Sequence, residues 1–105
     1  METFKLKKYD GTHYEITGKA LTPVMNPYHE TFVCDASVIQ LASGEKVLYV
    51  SARPIYYMAN KCDDVRRIYR DAQKLSATQI AELTGRDASK DILAALGISN
   101  VEVIA

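Results

Sequence analysis

Four soft or borderline metal ligands are scattered along the chain: His13, His29, Cys34 and Cys62. None of them forms a C-x-x-C, an H-x-x-x-H or another of the paired spacings from which zinc sites are built. No metal site and no cofactor is therefore expected. Nucleophilic chemistry has one combination of suitable types: Cys34, with His29 to take the thiol proton and Asp35 to orient the ring. On a regular strand, residues 34 and 35 point to opposite faces, so that cluster needs a bulge. The simpler reading is a buried thiol, a loop histidine and a solvent-facing aspartate. The sequence carries no glycine-rich phosphate loop, nucleophile elbow or paired-carboxylate motif. No catalytic residue is assigned.

Binding surfaces are better represented. Arg66, Arg70 and Lys74 recur every four residues, with Arg67 beside them. On a helix they would form a basic ridge able to meet an acidic partner or a nucleic-acid backbone. Asp63–Arg67 and Arg67–Asp71 have the i,i+4 spacing of intrahelical pairs, so part of that ridge would serve the helix itself. A second patch gathers Tyr28, Tyr56 and Tyr57 with Arg53, the residue types that dominate interface hot spots. Tyr69 falls on the apolar side of the expected helix and is assigned to the core.

The segment Ile80-Ala81-Glu82-Leu83-Thr84-Gly85 resembles the first half of a helix-turn-helix, with a small residue four positions before a turn glycine. The resemblance covers about twenty residues, 77–96, and would place Arg86, Ser89 and Lys90 against DNA. It departs after Gly85: the next core aliphatic is expected where Asp91 stands, and Ile92 comes one later. Asp87 and Asp91 would also face phosphates beside Arg86 and Lys90.

Composition bounds these readings. The chain of 105 residues, 48% hydrophobic and 25% charged, has the make-up of a globular protein. One domain over residues 1–105 is expected. Lysine plus arginine balances aspartate plus glutamate at 13 each, and both halves are close to neutral. Bulk charge therefore gives no drive towards nucleic acid or an anionic membrane. The first residues, Met1 to Lys5, lack an apolar signal core, and no run approaches the roughly 20 apolar residues of a membrane span. With only two cysteines, the expectation is a cytoplasmic protein with reduced thiols and no membrane partner.

The elements that would position these residues can be read from periodicity. Residues 3–9 and 13–20 alternate as strands around Asp10-Gly11. A three-residue loop of Tyr9, Asp10 and Gly11, with Gly11 left-handed, pairs Phe4 with Ile16, Leu6 with Tyr14 and Lys5 with Glu15. A two-residue loop would mix the faces. Residues 22–30, with two prolines, read as a loop. Strands are expected over 31–42 and 46–52, where Val38-Ile39, Leu41 and Val47 to Val50 are apolar on both faces. Residues 55–60 fit either a strand or the first turns of a helix. Val65, Ile68, Tyr69, Ala72 and Leu75 have helical spacing, which predicts a helix over 61–75. Ser76 and Gln79 form a capping-box pattern for a helix over 77–84 ending at Gly85. A third helix over 89–96 stops at a left-handed Gly97 followed by an apolar contact from Ile98. Residues 100–104 read as a last strand. The expected fold is α+β, a mostly antiparallel sheet of four to five strands with three helices on one face.

With no catalytic constellation, the leading expectation is a non-catalytic protein-binding module, a regulatory or inhibitory accessory protein acting through protein–protein contacts. A DNA-binding regulator using 77–96 is the alternative. A small-molecule pocket or enzyme around Arg53, His29 and Cys34 is the third. The partner would be a protein of unspecified identity, and self-association stays open.

Overall fold

The computed structural model describes residues 1–8, 10–24, 36–54, 62–99 and 104. Five strands are present: β1 (Glu2–Lys7), β2 (His13–Ala20), β3 (Ala36–Leu41), β4 (Lys46–Pro54) and β5 (Cys62–Tyr69). A 3-10 turn (Ala72–Lys74) and two helices, α1 (Ala77–Thr84) and α2 (Arg86–Leu96), follow. The strands form one antiparallel sheet in chain order, β1-β2-β3-β4-β5. The α+β reading holds, with one helix fewer than expected.

The first hairpin has the register that its apolar pattern demands: Phe4 faces Ile16, Lys5 faces Glu15 and Leu6 faces Tyr14. Lys8 N–H donates to the Thr12 carbonyl at 2.8 Å, and Gly11 N–H returns to the Lys8 carbonyl at 3.2 Å. Gly11 has φ of 88°, which only glycine adopts cheaply. Asp10 Oδ1 accepts from the Thr12 hydroxyl at 2.6 Å and the Thr12 N–H at 2.9 Å, which lowers the Asp10 pKa. The β3–β4 turn repeats the device. Leu41 N–H donates to the Glu45 carbonyl, Gly44 N–H donates to the Leu41 carbonyl, and Gly44 has φ of 90°.

Where a helix was expected over 61–75, the chain forms β5 and the 3-10 turn. Two things produced the helix-like spacing. Ile68 and Tyr69 are adjacent because β5 is apolar on both faces: Ile68 packs with Ile39, Val47 and Tyr49, while Tyr69 packs with Val38, Leu48 and Val50. A bulge then sets two residues, Val65 and Arg66, against Ser51, so strict alternation is lost. Arg66 sits in it with φ of 40°. Ala72 is buried through the 3-10 turn that follows. Apolar residues three and four apart thus come from a bulged, two-faced strand.

The remaining helices match their sequence signals more closely. The Ser76 hydroxyl accepts from Gln79 N–H, and the Gln79 side chain accepts from Ser76 N–H, completing the capping box of α1. The third expected helix begins three residues early, at Arg86, directly after Gly85. At its end Gly97 is left-handed. Its N–H donates to Ala94, and Ile98 N–H donates to Leu93 at 3.0 Å. Ile98 packs on the core, which completes the Schellman pattern. The strands expected over 3–9, 31–42 and 46–52 occupy 2–7, 36–41 and 46–54. Residues 31–35, 55–60 and 100–103 lie outside the described residues, and so does the last expected strand except Ile104, which is not in a strand.

The sheet buries both faces. On one, Val38, Leu48 and Val50 meet Ala72, Ile80, Ile92, Leu93 and Leu96 of the helical half. On the other, Leu6, Ile16, Ile39, Val47 and Tyr49 form a second core built from strands. The Tyr49 hydroxyl donates to the Lys7 carbonyl at 2.8 Å, although β4 and β1 are three strands apart. In a flat sheet that separation is about 14 Å, beyond the reach of a tyrosine. The sheet therefore curls, and the β1–β2 hairpin closes over its own concave face. Tyr14 and Tyr49 meet edge to face there, with ring centroids 6.5 Å apart.

Candidate functional site

The curl opens a cleft at one end of the concave face. β2 pairs with β3 only through Gly18, Lys19 and Ala20, with Leu21 N–H continuing to the Val38 carbonyl. β3 ends at Leu41 and turns, so His13–Thr17 run on beside the β3–β4 turn without a strand partner on that side among the described residues. Between this stretch, the turn and β5 lies a space of about 510 Å³. Tyr14, Ile16, Leu41, Val47 and Ile68 give it an apolar lining, and Arg70 stands at its rim.

Arg70 is fixed in place by Glu45 at the end of the β3–β4 turn. Its Nε and Nη2 donate to the two Glu45 carboxylate oxygens at 2.8 and 2.7 Å, a two-pronged fork. Asp71 N–H adds a third bond to Glu45 Oε2 at 3.0 Å. The Arg70 guanidinium, and then the Asp71 N–H, hold the Glu45 carboxyl down from its ordinary 4.5 to about 2. Arg70 is raised by the same carboxylate. Its side chain is 70% exposed while that of Glu45 is 16% exposed, so the carboxylate serves as anchor and the arginine remains presented to solvent. No local sequence signal joins residues 45 and 70, which lie 25 positions apart.

The expected basic ridge is divided among three elements. Arg66 is in the β5 bulge, Arg67 and Arg70 lie on and just past the end of β5, and Lys74 closes the 3-10 turn. Residues 62–69 form a strand, along which residues four apart are separated by about 13 Å, so the helical spacing expected to pair residues 63 and 67 is not the local geometry. Arg67 instead places its guanidinium over the Tyr69 ring, 5.3 Å from the centroid. Arg53 lies on β4 opposite Asp63 in register. Tyr28, Tyr56, Tyr57, His29 and Cys34 are outside the described residues, so neither the tyrosine patch nor the Cys34–His29 pair is placed. Among the described residues no group of three or more histidine, cysteine, aspartate or glutamate side chains is positioned to hold a metal.

Residues 77–96 do fold as two packed helices, but their junction is one residue, Gly85, with φ of 86° and ψ of 161°. A helix-turn-helix uses three or four. Ser89 is buried at 7% exposure, whereas Lys90 is exposed. Among the described residues no helix is long and apolar enough to cross a membrane. Compared with protein-family models, curated proteins and solved structures, the chain matches none.

Proposed function

We propose that this chain is a non-catalytic protein-binding module, regulatory or inhibitory in action, and that it engages its partner through the cleft beside β2. The observation that supports the reading is the company Arg70 keeps: an exposed, pre-oriented guanidinium at the rim of an apolar space lined by Tyr14, Ile16, Leu41, Val47 and Ile68. Aromatic, aliphatic and arginine groups around one pocket have the composition of a hot spot. Fixing Arg70 in advance lowers the entropy cost of using it. Arg66, Arg67 and Lys74 extend the basic character away from the cleft.

Affinity capture from the native host with mass spectrometry tests the proposal. Ala42→Arg serves as the obstructed control, because residue 42 is exposed and lines the cleft. A specific partner held by the wild-type chain and lost by Ala42→Arg, with an unchanged melting curve, is the expected result. Capture of nothing above background overturns it. Salt-sensitive binding of duplex DNA that is lost on Lys90→Ala would favour the alternative reading instead.

A further inference from the structure

We infer that the cleft takes its partner as an added β-strand, with an extended peptide segment pairing along His13–Glu15 of β2. This rests on the protein-binding reading above and specifies the chemistry of the partner.

The backbone alternation is the first observation. Lys8 and Thr12 form a hydrogen-bonded pair, so in the antiparallel ladder Leu6/Tyr14, Phe4/Ile16 and Glu2/Gly18 are hydrogen-bonded pairs as well. His13, Glu15 and Thr17 fall between them and direct their N–H and C=O groups away from β1. The continuation agrees: Leu21, of the same parity, donates its N–H to the Val38 carbonyl of β3. In the β2–β3 register Thr17 stands opposite Ala42, where the chain enters the Leu41–Glu45 turn, and the ladder ends there. Beyond it the outward-directed backbone groups of His13 and Glu15 border the cleft with no strand partner among the described residues, and Glu15 is among its lining residues. An open row of this kind is a template for another strand.

Side-chain chemistry specifies what that strand carries. A residue of the incoming strand opposite Glu15 shares the outer face, where Glu15 is exposed and already has Lys5 across from it on β1. A lysine or arginine complements that carboxylate. The residues on either side of it turn inward next to Tyr14 and Ile16, towards Leu41, Val47 and Ile68, and there the cleft is apolar. The matching segment reads apolar–basic–apolar.

The test uses a capped synthetic heptapeptide alternating valine with lysine, followed by amide NMR and hydrogen exchange on the wild-type chain. Expected are shifts and added protection at the His13 and Glu15 amides, none with the same peptide N-methylated at alternate amides, and about fivefold weaker binding when glutamate replaces lysine. Glu15→Pro removes one outward N–H without breaking a bond to β1, and it should abolish peptide binding. Equal binding of the N-methylated peptide, or the absence of any response at His13 and Glu15, overturns the inference. So does a concentration-dependent dimer that protects these amides without peptide. A partner captured by wild type, lost by Ala42→Arg and retained by Glu15→Pro would leave the protein-binding reading standing and reject strand addition alone.

Discussion

Gly18 of β2 lies against the backbone of β3 so closely that a Cβ on residue 18 would stand 2.9 Å from Ile39 Cγ2 and closer still to the Gln40 carbonyl oxygen. Gly18 marks the boundary between the two parts of β2, since pairing with β3 runs from here through Ala20 and stops on the other side. The close approach and the departure that follows it open the cleft.

Gly18→Ala should therefore act on the β2–β3 junction. The neighbour it meets is backbone, which cannot rotate away, so the cost expected is about 1–3 kcal/mol of overpacking. Urea unfolding checks the magnitude. Faster exchange of the Leu21 amide, whose partner is the Val38 carbonyl, would locate the damage.

Acid should weaken the Glu45–Arg70 fork in a defined window. The Glu45 carboxyl is lowered in the folded chain, so its contribution is present above its ordinary value of 4.5 and is lost as pH falls towards about 2. The melting temperature of wild type should fall more steeply over that interval than that of Glu45→Gln, with the two curves converging at the acid end. Both partners are near the surface, so added salt should shrink the difference. Parallel curves would refute the assignment.

Tyr49→Phe deletes the hydroxyl that reaches the Lys7 carbonyl. The expected loss is about 0.5–1.5 kcal/mol, the worth of an ordinary hydrogen bond. Its signature should be regional: amides of β1 exchange faster, while Ile80 and Leu93 in the helical half keep their protection. A uniform loss would argue against the curled hairpin as a separately held element.

Gly85→Ala tests the junction of α1 and α2. Its dihedral angles of 86° and 161° belong to a region essentially reserved for glycine, so strain of about 1–3 kcal/mol is expected. Far-UV circular dichroism and urea titration would register it. A neutral substitution would mean that the junction can adopt another geometry.

Local devices were legible because each is encoded within a few residues. The register of the first hairpin follows from keeping Phe4, Leu6, Tyr14 and Ile16 on one face, and Gly11 supplies the turn that permits it. The capping box of Ser76 and Gln79 and the Gly97 stop are also short-range hydrogen-bond patterns. The two-faced burial of β3 and β4 was written in consecutive apolar residues. Of the candidate site, Arg70 was singled out from the sequence, though on the wrong element and without its anchor.

What tertiary structure decided has a common cause. Residues 62–69 carry a pattern compatible with a helix, and pairing along β4 outweighs it, because a strand packed against both cores satisfies Ile68 and Tyr69 together. The fork from Arg70 to Glu45, the reach of Tyr49 to Lys7 and the gap between β2 and the β3–β4 turn all join residues distant in the chain. The sequence by itself determined the class of fold, its turns and caps, and which faces are apolar, since these depend on backbone conformation and periodicity. The curl of the sheet, and with it the cleft beside β2, was settled only by packing between strands that no local pattern connects.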